Sequence, residues 1–138
     1  MAHYLAIDVG STTVTALAID VEMRAVVGAA SAANAAETTA AEDKRRGRSE
    51  WDLERMVGLA VDNAAGLIAD TGVVPAAIGV TGQQQGLQLL DGEGRVVGPY
   101  ISWQDQRANE ALADGRSYLE AMAERGGAVP DAGGLPAF

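Results

Sequence analysis

The 138-residue sequence contains no cysteine, one histidine and few aromatic residues. Without cysteine, disulfide bonds and cysteine-ligated metal sites are excluded. Because His3 is the only histidine, a histidine cluster around zinc and a catalytic histidine base are not expected. Aromatic residues make up only 4% of the chain, so we expect a core of small aliphatic side chains.

Long apolar segments are also missing. No window approaches the ~20 apolar residues of a membrane-spanning helix. The N-terminus lacks the basic and apolar regions of a signal peptide. Hydrophobic residues make up 48% and charged residues 21%, which is typical of globular proteins and not of disordered ones. We therefore expect a cytoplasmic protein in which residues 1–138 form a single domain.

Basic residues are few, since 10 Lys and Arg face 19 Asp and Glu, for a net charge of −9. Such a surface repels the phosphate backbone of nucleic acids, so nucleic acid is not expected as a partner. The one basic run, at 44–48, lies beside Glu42 and Asp43. It is typical of a solvated loop.

Several short apolar segments have the character of strands. Segments 4–9 and 14–20 flank a turn containing Gly10 and should form a hairpin, and segment 24–32 should follow as a third strand. Segment 33–50 is expected to be a loop. A buried strand is predicted at 77–81, with further extended segments at 87–90, 95–97 and 100–102 and a turn at 91–94.

Two helices are predicted from apolar residues at helical spacing. The first covers 53–68, after a capping box from Ser49 to Asp52, and ends near Gly72. The second starts near Asp105 and ends at 126–127, and the tail at 128–138 should be irregular. Strands interleaved with helices favour the α/β class, with a mixed sheet flanked by helices.

The first motif with chemical character is Asp8-x-Gly-Ser-Thr-Thr, at the turn between the first two strands. Glycine allows close approach of a phosphate, and successive N–H groups can bind an anion. Asp8 is a hard oxygen ligand suited to Mg²⁺. The same motif also fits a plain hairpin turn whose side chains bond to local backbone.

The second and third motifs carry amide, aromatic and charged groups. Three glutamines lie between Gly82 and Gly86, directly after a predicted strand, where amides could bind sugar hydroxyls. In segment 101–107, Trp103 offers a face for a sugar ring, and Asp105 and Arg107 offer charged hydrogen bonds. A polar hairpin loop and a helix cap at Asp105 are the structural alternatives.

Together the motifs resemble the FGGY carbohydrate kinase family, and most of all its xylulokinase-like branch. Members begin with a strand ending in Asp-x-Gly-Thr-Thr. They continue with a Gly-Gln-Met-His-Gly-like loop, an Asp-x-x-Gly turn and a Trp-x-Asp-x-Arg segment. The corresponding segments of this chain, in the same order, are 8–13, 82–86, 91–94 and 103–107.

The resemblance implies an actin-like, ribonuclease-H-like fold, in which ATP and sugar meet between two lobes. Asp8 then corresponds to the aspartate that helps to hold Mg²⁺. The residues implied in phosphate binding are Gly10, Ser11, Thr12 and Thr13. Those implied in sugar binding are Gln84, Gln85, Trp103, Asp105 and Arg107.

Departures from the family pattern limit these expectations. Ser11 replaces threonine but keeps the hydroxyl, whereas Gln84 and Gln85 replace a Met-His pair, which leaves the exact sugar open. Family members are several times longer, and their catalytic base and adenine site lie in later segments. We therefore expect the N-terminal part of a first lobe, inactive alone, from a kinase acting on a ketopentose or related sugar or polyol.

Two other interpretations stay open. One is a non-catalytic sugar- or nucleotide-binding or assembly module with the same fold. The other is a ribonuclease-H-like nuclease, which would need several clustered carboxylates and is disfavoured by the acidic composition. Apolar side chains of helix 53–68 and strand 87–90 should also lack a cover, so we expect this chain to self-associate.

Overall fold

The computed structural model describes residues 2–126, which divide into two compact units. The first comprises residues up to Ala36 together with Leu53–Gln83, and the second comprises Glu37–Asp52 together with residues from Gln84 onward. Each unit contains its own β-sheet. Across residues 2–126, no helix combines the length and apolar character needed to cross a membrane.

Seven strands and three α-helices make up these units. In chain order they are β1 (His3–Val9), β2 (Thr13–Asp20), β3 (Ala25–Ala33), α1 (Ala41–Arg45), β4 (Glu50–Trp51), α2 (Leu53–Thr71), β5 (Pro75–Gly82), β6 (Leu87–Leu90), β7 (Val96–Ile101) and α3 (Tyr118–Glu124). The predicted mixed α/β class is confirmed, because the first sheet combines antiparallel and parallel pairs in the order β3-β2-β1-β5.

The predicted hairpin of β1 and β2 is confirmed as an antiparallel pair, in which Asp8 lies opposite Thr15 and Val9 opposite Val14. Every second residue of β2 is buried, from Val14 to Asp20. Because side chains alternate across a strand, this pattern turns one face of the sheet towards the core. The hairpin thereby holds the Gly10 turn at the end of two well-packed strands.

Helix α2 covers that face, as the predicted spacing requires. Its buried residues are Met56, Ala60, Ala64 and Leu67. The sheet approaches closely, since a Cβ on Gly28 would lie 2.5 Å from Thr71 Cγ2. The helix ends where Gly72, with φ of 67°, donates its N–H to the Ile68 carbonyl. The predicted capping box is wrong, because the Ser49 hydroxyl is bonded to Trp51 and Ser102 instead.

Strand β5 pairs with β1 in parallel and forms one edge of the first sheet. The strand is found where it was predicted, but its predicted burial is wrong. Ile78 and Val80 are 57% and 70% exposed. Among residues 2–126, no strand pairs with the free edge of β5. The spacing of apolar residues in the sequence predicts that β5 is a strand. Whether the strand is buried depends on which other elements pack against it.

The second unit contains a three-stranded antiparallel sheet in the order β4-β7-β6. The predicted turn at 91–94 is confirmed, with Asp91 Oδ1 accepting the backbone N–H groups of Glu93 and Arg95. The predicted loop at 33–50 is only partly correct, because it contains α1 and the start of β4. These pieces are too short to show a period in the sequence.

The long helix predicted from Asp105 to 126–127 is wrong. A 3₁₀ turn at Arg107–Asn109 is followed by a second turn in which Gly115 has φ of 84°. A new helix, α3, begins after Ser117, whose hydroxyl accepts the Glu120 N–H in a complete capping box. The glycine and the cap interrupt the apolar spacing. The predicted tail at 128–138 lies outside the described residues.

Candidate functional site

The turn after β1 is closed by its own backbone. The Gly10 N–H donates to the Thr13 carbonyl at 2.9 Å. A Cβ on Gly10 would lie 2.9 Å from that same oxygen, which is closer than real Cβ atoms approach. Glycine is therefore required here for close packing of the turn on itself. Its predicted role in phosphate binding stays a prediction.

Asn34, which follows β3, clamps this turn from the side. Its Nδ2 donates to the Gly10 carbonyl at 2.7 Å, and its backbone N–H donates to the Thr12 carbonyl at 2.9 Å. Asn34 itself is buried. Asn34 is not predictable from the sequence, since one asparagine in an alanine-rich stretch carries no signal. Its role depends on the pairing of β2 with β3.

The side chains of the turn face solvent. Asp8, Thr12 and Thr13 are exposed, and Ser11 is half-buried. Among residues 2–126, no hydrogen bond or ion pair of the Asp8 carboxylate is found, and no three acidic or histidine residues are placed so that they could hold a metal ion together. One free carboxylate fits Mg²⁺, which proteins often bind through one or two carboxylates together with substrate phosphates.

The glutamine loop connects β5 to β6. Gln84 and Gln85 are exposed, and Gln85 adopts φ of 61°, which is uncommon for a residue other than glycine. Gly86 packs directly against the Tyr100 ring, because a Cβ there would lie 1.8 Å from Tyr100 Oη. Burial raises the pKa of Tyr100 above its usual range. The loop is thus anchored at Gly86 and open at its two glutamines.

Trp103 and Arg107 lie on the segment after β7, and both are accessible. Trp103 is 39% exposed, which leaves part of the indole free for a ligand. Arg107 is half-buried, and its Nη2 donates to Glu50 Oε1 at 2.6 Å. Arg107 is also held by Asp105. Its guanidinium is therefore fixed in orientation by two carboxylates.

Asp105 is fully buried, with 0% exposure. Its Oδ1 accepts the backbone N–H and the Nε of Arg107, and its Oδ2 accepts Arg107 Nη2 and the Ser49 backbone N–H. Burial acts to raise the pKa of Asp105, but the hydrogen bonds from Arg107 and Ser49 outweigh it and hold that pKa below its usual range. Both oxygens are occupied by protein donors.

A buried serine pair supports the same segment. The hydroxyls of Ser49 and Ser102 lie 2.7 Å apart, and Trp51 Nε1 donates to the Ser49 hydroxyl at 3.0 Å. Ser102 is completely buried. Neither serine nor Glu50 is predictable as part of this site, because residues about fifty positions apart show no common sequence pattern. The pairing of β4 with β7 brings them together.

Sheet register groups the predicted residues within each unit. In the first unit, Asp8 lies beside the turn Gly10, Ser11, Thr12 and Thr13. In the second unit, Leu87 at the start of β6 lies opposite Ile101 at the end of β7. The loop with Gln84 and Gln85 and the segment with Trp103 therefore occupy the same end of that sheet.

Three solved sugar kinases have folds similar to that of this chain. The xylulose kinase from Rhodospirillum rubrum is 26% identical, with a TM-score of 0.71, over 88% of this chain and 23% of that one. The gluconate kinase from Lactobacillus acidophilus is 20% identical, with a TM-score of 0.72, over 91% and 23%. The glycerol kinase with ADP from Plasmodium falciparum is 18% identical, with a TM-score of 0.69, over 91% and 23%.

The chain thus spans about a quarter of the length of these kinases. The similarity confirms the predicted fold class, which is part of an actin-like α/β lobe. A comparison with curated proteins finds no match. Residues 3–125 match the N-terminal domain of the FGGY family of carbohydrate kinases. Since this match covers most of the sequence, the chain belongs to the FGGY family of carbohydrate kinases.

Proposed function

We propose that this chain is the N-terminal part of an ATP-dependent kinase that phosphorylates a hydroxyl of a ketopentose or a related sugar or polyol. The observation that carries the proposal is the pairing of β6 with β7. This pairing puts exposed amides and the exposed Trp103 at one end of a sheet, as a neutral polyhydroxyl ligand requires. Family membership supplies the reaction class.

Within the first unit, the proposed phosphate-binding segment is the turn after β1. The Gly10 turn is held rigid by Asn34 and presents exposed hydroxyls from Thr12 and Thr13. These can donate to phosphate oxygens, and Ser11 adds a third hydroxyl. When bound, Mg²⁺ and ATP supply the charge stabilisation and the phosphoryl group. Asp8, exposed and free of protein partners within residues 2–126, would hold the cation through its carboxylate.

Within the second unit, the proposed sugar-binding segments are the glutamine loop and the segment after β7. We propose that Gln84 and Gln85 donate to and accept from sugar hydroxyls, while Trp103 stacks on the apolar face of the ligand. Arg107 contributes a fixed donor. Asp105 contributes indirectly, because its carboxylate is saturated by Arg107 and Ser49 and acts to orient the guanidinium.

Xylulose is the first substrate to test. The solved xylulose kinase reported above is the most similar in sequence of the three kinases compared, at 26% identity. Gln85 stands where the family resemblance places a histidine, and an amide cannot carry a charge. We propose that this replacement biases the choice among ketoses and polyols through hydrogen bonding alone.

The isolated chain should not catalyse turnover. It corresponds to about a quarter of the matched kinases, and the family resemblance places the catalytic base and the adenine site in later segments. Phosphoryl transfer depends on groups that position and stabilise the phosphates from both sides. We also propose a cytoplasmic location, where ATP is available, and self-association through uncovered apolar surface.

An ADP-release assay on the chain, with xylulose, ribulose, gluconate and glycerol, tests the inactivity. We expect no sugar-dependent ADP release above the background. In parallel, calorimetric titration should detect xylulose binding that Trp103→Ala weakens at least tenfold. Gln106→Ala, a change at another exposed residue nearby, serves as the matched control and should leave binding unchanged.

Each outcome of the ADP-release and calorimetric experiments supports or contradicts a particular part of the proposal. Sugar-dependent ADP release that survives repurification contradicts the proposed inactivity but supports the sugar-kinase assignment. Absence of binding to every sugar, together with binding of Mg-ADP alone, favours the alternative of a nucleotide-binding module. Binding of neither sugar nor nucleotide favours a purely structural role.

A further inference from the structure

A cavity of about 680 Å³ lies within the second unit. Its walls come from the 3₁₀ turn, the turn that follows it, α3 and Arg48. Of the sugar-binding residues proposed above, Arg107 lines the cavity, whereas Gln84, Gln85 and Trp103 do not. Pockets for small organic ligands usually enclose ~300–1,000 Å³. The cavity therefore has the size of a small-molecule site.

The floor of this cavity is apolar. Leu112, Leu119 and Met122 line it and are each half-buried, while Ala108 is buried. Leu119 and Met122 lie three positions apart on α3 and therefore share one side of the helix. Half-buried apolar side chains still contact water, so a ligand that covers them releases this water favourably. The floor therefore favours a ligand with an apolar body.

Among the described residues that line the cavity, the acidic one is Glu110, and Arg48 neutralises its charge. Arg48 Nε donates to Glu110 Oε1 at 2.6 Å, and Arg48 Nη2 donates to Glu110 Oε2 at 2.7 Å. These bonds hold the pKa of Glu110 below its usual range. Arg48 Nη1 also donates to Asp43 Oδ1 at 3.3 Å. Arg48 and Glu110 are thus occupied by protein partners.

Arg107 and Arg125 are the other basic residues of the described lining. Arg107 is held by Asp105 and Glu50, and neither of these carboxylates lines the cavity. Arg125 follows α3, and its backbone N–H donates to the Met122 carbonyl at 3.2 Å. Its side chain is exposed, and in the part of the chain from 2 to 126 no hydrogen bond or ion pair of its guanidinium is found. Arg125 therefore leaves a positive charge beside the apolar floor.

We propose that this cavity binds a small monocarboxylate with an apolar body, such as an aliphatic acid of medium length. The apolar body packs on the floor, and the carboxylate accepts two parallel hydrogen bonds from the Arg125 guanidinium. A sugar fits this floor poorly, because its hydroxyls would lose water and find no partner among apolar side chains. The inference goes beyond the proposed function and does not depend on it.

Methionine methyl groups give a direct test, because they lie in different environments. Met122 lines the cavity, Met56 is buried in the first unit, and Met23 is 65% exposed. The unmodified chain, labelled with ¹³C at the methionine methyls, is titrated with octanoate below its micelle concentration. We expect a saturable shift of the Met122 signal, with Met23 and Met56 unchanged. Octan-1-ol should bind about threefold more weakly and acetate at least about tenfold more weakly, since each lacks one half of the ligand.

Variants separate the two halves of the interaction, with calorimetric titration as the measurement. Arg125→Gln should weaken octanoate binding about threefold, which is the size of an exposed ion pair, and leave octan-1-ol binding unchanged. Arg24→Gln is its matched control, at an exposed arginine in the turn after β2, and should change neither affinity. Met122→Gln should weaken both ligands about tenfold, because a polar amide replaces part of the apolar floor. Met23→Gln is its matched control and should change neither.

The ligand comparisons on the unmodified chain remain decisive even if a variant fails to fold. Absence of a saturable Met122 shift, or an equal shift of Met23, would overturn the proposal of a specific site. Equal affinity for octanoate and octan-1-ol would overturn the role of the cation. A Met122 shift caused by xylulose and not by octanoate would assign the cavity to the sugar, and this inference would be wrong while the proposed function stands.

Discussion

Two buried carboxylates, those of Asp20 and Asp105, each accept hydrogen bonds from several protein donors. Asp20 is 1% exposed, and its Oδ1 accepts the backbone N–H groups of Glu22 and Met23, while Oδ2 lies 3.6 Å from His3 Nε2. Asp105 has four donors. Burying an ionised group is tolerable only when hydrogen bonds replace its hydration. These two carboxylates therefore fix the conformation of the turns whose N–H groups they accept.

The Asp105 carboxylate should make stability depend on pH. Its pKa is lowered in the folded state, so its contribution is present above the unfolded value of about 3.9 and disappears as pH falls through the lower folded value. Asp105→Asn should lower the free energy of unfolding by roughly 1–3 kcal/mol at pH 7. Because Arg107 is partly exposed to solvent, water screens part of the lost ion pair and keeps the effect within this range. Urea denaturation at pH 3 to 7 measures both effects.

Asp114→Asn is the control for that prediction. Asp114 also accepts hydrogen bonds from an arginine, Arg116, and its pKa is lowered by them, but the pair is exposed to solvent. We expect only a small change in stability there. An equal loss for both variants would show that burial of Asp105 adds nothing.

Short elements decide the shape of the second unit. Strand β7 pairs with both β4 and β6, so one strand connects the Ser49–Glu50 segment to the glutamine loop. The break in the last predicted helix also shapes this unit. It leaves Arg107 in a 3₁₀ turn, where its guanidinium donates to the Asp105 carboxylate. Local signals at Gly115 and Ser117 override the apolar spacing.

Gly86→Ala tests the anchoring of the glutamine loop. The new Cβ would overlap the Tyr100 ring, so the ring or the loop must move, at a cost of roughly 1–3 kcal/mol. Gly92→Ala introduces the same methyl group into open space and should be close to neutral. The denaturant midpoints of the two variants measure the difference. Equal midpoints would mean that the Gly86–Tyr100 contact does not constrain the loop.

Across residues 2–126, several strands and helix α2 expose large apolar side chains. The edge strand β5 exposes Ile78 and Val80, α2 exposes Val57 and Val61, and the second sheet exposes residues of β6 and β7. Surfaces of this kind mark interaction sites, and a free strand edge invites pairing with another chain. Helix 53–68 and strand 87–90, predicted as uncovered surfaces, are thus each partly exposed.

We predict that the chain self-associates through β5. Burial of ~800 Å² per partner is typical of a specific interface, and each Å² contributes about 25 cal/mol. Repulsion between two copies at −9 opposes this, but salt screens it beyond ~8–10 Å. Val80→Lys should reduce the associated fraction, measured by size exclusion with light scattering at tens of micromolar.

Val21→Lys is the matched control, because it makes the same change of charge at an exposed valine in the turn after β2. It should leave association unchanged. A stable monomer in the unmodified chain would contradict the prediction. Equal reduction by both lysines would show that net charge, and not the β5 edge, controls assembly.

Much of this protein follows from its sequence. The hairpin around Gly10, helix α2 up to Gly72 and strands β3, β5 and β6 are predictable, because period, glycine and turn residues act over a few neighbouring positions. The four motifs, in their order, also suffice to identify the family. The signals for these elements lie within a few neighbouring residues, and the signals for the family lie in short motifs that its members share.

Only the tertiary structure decides which polar groups remain free for a ligand. Asp105 has the sequence character of a sugar contact, yet strand pairing surrounds it with Ser49 and Arg107 and saturates both oxygens. Asn34 shows the converse, since its signal in the sequence is weak and yet its amide donates to the Gly10 carbonyl and clamps that turn. The physical reason is that hydrogen bonds and burial join residues far apart in the chain, and no local pattern records those contacts.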